Sequence, residues 1–263
     1  MKKIGLRLYM GIVMVFLYMP IVVLIAYSFN NGKTSVWKGF TFKWYVELFN
    51  SSAIMSSLYN TLIIAILAAI ISTVLGTAAA IGMYNFKNPL KGLINNVSNI
   101  PIINPEIVTG VSFMLLFAFL GGIFNFEMGF ATVLLAHISF CVPYVVLNVM
   151  PKLRQMDNSL YEAALDLGCN QRQAFTKVVL PEIMPGVVSG MLMSFTYSLD
   201  DFVITYFTRG SKFQTLPIEI YTMLRRRISP TINALSTLLF LVTITVLIIV
   251  NVRERQVERA VNG

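Results

Sequence analysis

Runs of about 20 apolar residues recur along this chain, each long enough to cross a hydrocarbon core of about 30 Å as an α-helix. Six such windows run roughly over 8–29, 58–83, 102–120, 129–150, 184–207 and 232–251. Hydrophobic residues make up 56% of the 263 positions and charged residues 12%. A soluble domain carries about 25% charge, so the expected class is an all-α membrane protein with about six transmembrane helices. The first window follows Lys2, Lys3 and Arg7, but it is too long for a signal peptide and lacks a small-residue cleavage site, so it reads as a retained span.

Placing the N-terminus inside puts twelve basic residues in the cytoplasm: Lys2, Lys3, Arg7, Lys87, Lys91, Lys152, Arg154, Arg172, Lys177, Arg253, Arg255 and Arg259. Eight remain outside. The positive-inside rule therefore favours N-in/C-in, with Arg225, Arg226 and Arg227 as the dissenting cluster. The net charge of +8 describes flanks that meet anionic lipid, and no separate basic domain points to nucleic acid. Cys141 and Cys169 form neither a disulfide framework nor metal spacing. With no linker or low-complexity segment, residues 1–263 read as a single transmembrane permease domain.

Two spans carry small residues every fourth position: Ala68, Ser72, Gly76 and Ala80 in the second, Gly186, Gly190, Ser194 and Ser198 in the fifth. Such stripes let helix backbones approach closely, which is the packing device expected where lipid removes the hydrophobic drive. The fifth span also holds adjacent carboxylates, Asp200 and Asp201. At 100° per residue Asp201 falls on the small-residue face and Asp200 is rotated off it, beside Thr196 and Tyr197. An acid at mid-bilayer is costly and usually faces a bundle interior or a polar pathway. Asp201 is thus the stronger candidate to meet a cation in transit; an internally bonded carboxylate, or an early exit of the helix, remains the structural alternative.

The longest polar interruption, DNSLYEAALDLGCNQRQAFTKVVLPEIMPG, falls between the fourth and fifth spans, approximately residues 151–183. Ser159 with Glu162 forms a capping-box pattern, and Asn170 with Gln173 a weaker one. Gly168 stands where a left-handed C′ residue is wanted, and Pro181 is expected to stop the second helix. Leu160, Ala163, Ala164 and Leu167, with Ala174, Phe175, Val178 and Val179, give this helical hairpin an apolar face for docking. An amphipathic helix lying on the membrane is the alternative, which its mixed charges disfavour.

Glu162-Ala163-Ala164, then Gly168, then Val178-x-Leu180-Pro181 resembles the EAA loop of binding-protein-dependent ABC importer permeases, with Val178 where isoleucine is more usual. INPEIVTGVSFMLLF, AHISFCVPYVV, SFTYSLDDFVITYF and LPIEIYTMLRRRISPTINALSTLLF further resemble the spermidine/putrescine permeases of that family, although the RRR cluster departs from their single basic residue. The resemblance implies a type I ABC importer permease fold with a cytoplasmic coupling helix pair. It implies a second permease, two ATPase subunits and an extracytoplasmic polyamine-binding protein as partners. ATPase coupling is expected at Glu162, Ala163, Ala164, Gly168, Leu180 and Pro181. A substrate pathway is expected at Asp201, Asp200, Tyr197 and Glu106. ATP and magnesium belong to the partner ATPase, and no cofactor is expected on this chain. The same architecture could import ferric ion, thiamine or an organophosphonate; a channel or ion-coupled transporter is the alternative of a different class.

No enzyme motif competes. His-Glu-x-x-His and Gly-x-Ser-x-Gly are absent, and NGKTS lacks the first glycine of a phosphate loop, having Tyr27 at that position. The single histidine, His137, lies within the fourth span, where a helix-to-helix hydrogen bond is the ordinary role. Glu106, following Pro105, is either a helix-start charge or a pathway acid.

Overall fold

The computed structural model describes residues 2–32, 36–85, 104–226 and 230–262. Lys87 and Lys91, Ile102 and Ile103, Arg227, and the Lys33–Ser35 portion of NGKTS lie outside the described residues. Among those described the chain is helical, with one isolated bridge between Asn30 and Phe40. The helices are α1 (Lys2–Ser28), α2 (Lys43–Asn50), α3 (Ser52–Asn85), α4 (Glu106–Phe124), α5 (Phe130–Gln155), α6 (Asn158–Asp166), α7 (Gln171–Ala174), α8 (Leu180–Asp200), α9 (Val203–Thr208), α10 (Leu216–Arg226) and α11 (Pro230–Asn262). Five helical segments are long and apolar enough to span a membrane: Gly5–Ser28, Ser52–Tyr84, Glu106–Phe124, Phe130–Gln155 and Gln171–Asp200. In α11 the apolar part, Pro230–Thr245, is shorter.

The chain forms two compact units, residues 1–57 with 219–263, and residues 58–218. In the first, α11 packs against both α1 and α2. Leu6, Phe16 and Leu17 of α1 are exposed, an arrangement suited to lipid or to another apolar surface and not to water. Asn30 organises the turn after α1. Its carboxamide oxygen accepts from the Gly32 and Lys38 N–H groups, its amide donates to the Val36 carbonyl, and its own carbonyl accepts the Trp44 indole.

In the second unit the two small-residue stripes converge on one helix, α5. A methyl group added at Gly76 would lie 2.6 Å from Val145 Cβ, and one at Gly190 3.0 Å from Val145 Cα. One added at Gly186 would lie 2.7 Å from the Asn148 carbonyl oxygen. Val145 is therefore held between the glycines of α3 and α8, at a separation that only residues without a side chain permit. The core continues through Ala80, Val149, Leu153, Val179 and Ile183. A second, smaller core joins Phe117, Ala136 and Ile204, where α4 and α9 meet α5.

Three local expectations are corrected. The hairpin's first helix is capped by Asp157, whose carboxylate accepts from the Ser159 N–H at 2.9 Å, so Ser159 lies inside the helix. Pro181 does not stop the second helix: α7 continues through a π-helical turn, Phe175–Val179, directly into α8, with Pro181 in its first turn. A proline lacks the N–H that an α-helical interior needs, and a π turn just before it re-routes the affected carbonyl. Finally, the fifth span does not run to Phe207. It ends at Asp200; Asp201 is extended (φ −65°, ψ 124°), and the short α9 follows.

Candidate functional site

The break after Asp200 is built by Asp201. Its Oδ1 accepts from the Ile204 N–H at 3.2 Å, and its Oδ2 accepts from the Thr205 N–H at 2.7 Å and the Thr205 hydroxyl at 2.8 Å. These satisfy the orphan donors at the start of α9, which is N-cap chemistry in an otherwise apolar sequence. His137 of α5 completes the arrangement. Its Nδ1 lies 2.7 Å from Ser198 Oγ on α8, and its Nε2 lies 2.9 Å from Thr205 Oγ1 on α9 and 3.4 Å from Asp201 Oδ2. Both side chains are withdrawn from solvent, 1% exposed for His137 and 6% for Asp201. The lone histidine is thus a helix-joining group.

Asp200 has the opposite environment. It is exposed, and it lines an open-sided cavity of about 280 Å³ together with Asn104, Glu106, Thr109, Phe140, Tyr144, Tyr197 and Phe202. Phe140 and Tyr144 lie near the midpoint of the 26-residue α5, so the cavity sits at the middle of a span-length helix. The rings of Tyr144 and Tyr197 stack with centroids 4.4 Å apart. Glu106, at the first position of α4, is exposed at the same wall. All four expected pathway residues, Glu106, Tyr197, Asp200 and Asp201, border this one space. The carboxylate open to it is Asp200, whereas the oxygens of Asp201 are engaged by α9 and His137. Asp201 comes foremost on a helical wheel only if one helix runs through Asp201, where α8 ends. An Asp immediately before the apolar run FVITYF is the helix-start signal that would have marked the break. Nothing in the sequence pattern marked Phe140, Tyr144, Phe202, Asn104 or Thr109, which reach the cavity from three separate helices and their flanks.

The second candidate site is the hairpin of α6 and α7. Glu162, Ala163 and Gly168 are exposed, while Ala164 and Ala174 are buried between the two short helices. Gly168 has φ +88°, and the Gly168 and Cys169 N–H groups donate to the carbonyls of Leu165 and Ala164. That is a Schellman ending, and it requires the left-handed residue that glycine supplies. Asn170 and Gln173 cap each other reciprocally at 2.8 and 3.0 Å, so the turn is closed on both sides. The Asp157 carboxyl is held below its ordinary 3.8 by the Ser159 N–H that it accepts. Leu167 stands 85% exposed at the tip, an apolar side chain with no cover on a firmly capped projection. Leu180 and Pro181 sit behind it, at the start of α8.

Residues 72–262 match the family model described as the binding-protein-dependent transport system inner membrane component. The chain is 35% identical over 242 residues to the spermidine/putrescine transport system permease protein PotC of Haemophilus influenzae, covering 92% of this chain and 93% of that one. It is 39% identical over 232 residues to the putrescine transport system permease protein PotI of Escherichia coli, covering 85% and 81%. Among solved structures, a bacterial ABC transporter involved in the import of the acidic polysaccharide alginate superposes with a TM-score of 0.74 at 14% identity, over 95% of each chain. The fold is accordingly that of an ABC importer permease.

Proposed function

The chain belongs to the family of binding-protein-dependent transport system inner membrane components, and from that premise we propose that it is a permease subunit of an ATP-driven polyamine importer. One observation carries the cargo assignment: two carboxylates, Asp200 and Glu106, share a cavity with the stacked rings of Tyr144 and Tyr197. A polyamine is a chain of ammonium groups joined by aliphatic carbons. Carboxylates pair its charges, and aromatic faces attract the cationic ends while covering the methylene segments. Relatives named for spermidine and putrescine support the same assignment. Asp200, Glu106 and Tyr197 are the proposed contacts, with Asp201 behind them.

Residues 1–263 act in this reading as one permease domain beside a second permease. One of two cytoplasmic ATPases receives the α6–α7 hairpin through Glu162, Ala163 and the exposed Leu167, with the buried Ala164 packing the hairpin behind them, and an extracytoplasmic binding protein delivers the polyamine. ATP binding closes the ATPases and carries the hairpin with them, which biases a two-state bundle between inward-facing and outward-facing forms. Hydrolysis takes place on the partner; this chain supplies the path and the lever. Uptake of labelled spermidine and putrescine by cells expressing the whole transporter tests the reading. Wild type should accumulate both or one of them, and Asp200→Asn should raise the half-saturating concentration about tenfold, the loss of one ion pair worth about 1.4 kcal/mol. Import of ferric ion, thiamine or an organophosphonate in place of polyamine overturns the cargo assignment.

A further inference from the structure

His137 holds the two helices that flank the break in the chain beside the cavity. Its Nδ1 meets Ser198 on α8, two residues before Asp200, and its Nε2 meets Thr205 on α9. The direction of these bonds follows from the hydroxyl of Thr205. That hydroxyl donates to Asp201 Oδ2, so its oxygen is left to accept, and the imidazole N–H is on Nε2. In that tautomer Nδ1 accepts the Ser198 proton. The resulting relay, Nε2–H to Thr205 O–H to Asp201 carboxylate, runs through groups that are at most 6% exposed, where such bonds are strong and their loss is costly.

The default conformation of this apolar stretch is an uninterrupted helix, and the break exists because Asp201 caps α9. Asp201 therefore sets the backbone angle that aims Asp200, and His137 sets Asp201. Resting on the reading of the cavity as the polyamine pathway, we infer that His137 is a positioning residue for transport: through Thr205 it fixes Asp201 at the α8–α9 break and so presents Asp200 to the substrate cation. Removing the Nε2 contact should loosen the aim of Asp200 while leaving the lever at the other end of α8 untouched, so the effect should fall on substrate affinity.

Side-chain amides separate the two ring nitrogens. The amide nitrogen of glutamine reaches the place of Nε2 and can donate there, and the amide oxygen of asparagine can take the place of Nδ1 and accept from Ser198, so His137→Gln keeps the Thr205 and Asp201 contact while His137→Asn keeps only that to Ser198. In cells expressing the complete transporter, with the chain quantified in membranes, labelled-spermidine uptake should show a KM within about twofold of wild type for His137→Gln. For His137→Asn the KM should rise about tenfold at little-changed Vmax. Thr205→Ser and Thr205→Val form a second pair, retaining and removing the hydroxyl, and decide the matter if His137→Asn does not accumulate. Equal behaviour within the pair that is read, or an effect confined to Vmax, overturns the inference. Asp200→Asn separates the two levels: if it raises KM and the paired variants still behave alike, the positioning role alone falls. If Asp200→Asn leaves KM unchanged, the pathway reading falls and takes the inference with it.

Discussion

Asp200 and Asp201 are neighbours in sequence, yet one faces an open cavity and the other is spent on backbone and side-chain hydrogen bonds. A buried carboxylate that accepts three donors is doing structural work, because leaving the α9 N–H groups without a partner would cost more than the substitution itself. Asp201→Ala should therefore reduce the amount of chain in the membrane, measurable by immunoblot, whereas Asp200→Asn should leave that amount unchanged. Equal accumulation of the two would show that the break does not depend on its cap. Asp157 offers a milder case on the exposed hairpin. Its depressed carboxyl contributes stability that is fully present above about 3.8, the unfolded value, and is lost as pH falls through the lower native value. Asp157→Ala should speed amide exchange in α6 at neutral pH, and Asp157→Asn, which can still accept the Ser159 N–H, should speed it less.

Helices, turns and stripes divide between what a sequence can declare and what only packing can. The apolar runs located the spans, and the stripes at Gly76, Gly186 and Gly190 correctly signalled close approach, since both are local periodicities. That both stripes meet the same Val145 could not be read, because it depends on which helices become neighbours. The π turn before Pro181 and the break at Asp201 are illegible in the periodicity of the sequence for a common reason: each departs from the regular helix that a face assignment at 100° per residue presumes. Gly186→Leu is expected to lower the stability of the purified complex by about 1–3 kcal/mol, seen in its thermal midpoint, because even a methyl there meets the Asn148 carbonyl at 2.7 Å and the backbone must shift. An unchanged midpoint would mean that α5 and α8 are less tightly seated than the 2.7 Å approach indicates. Gly168→Val forces a β-branched residue into the left-handed region, at about 1–2 kcal/mol. It should cut the Vmax of uptake and leave KM alone, the reverse of the pattern expected at His137.

Across the molecule, the cavity and the α6–α7 hairpin are chemically unlike but structurally continuous. The hairpin offers an apolar tip, and Leu167→Asp should diminish co-purification of the ATPase, since burying that side chain is worth about 2 kcal/mol. Undiminished recovery would move the docking surface elsewhere on the loop. Between tip and cavity there is one uninterrupted helical segment, Gln171–Asp200, which includes the π turn. Thirty residues at 1.5 Å each make a strut of about 45 Å, fastened at one end by the Asn170–Gln173 clasp. Its other end is Asp200. The break held by Asp201 comes one residue later, so the cavity-facing carboxylate is the last residue of the strut itself. A displacement imposed at the clasp would be carried along this segment to the wall of the cavity, as the far end of a push-rod moves when the near end is struck.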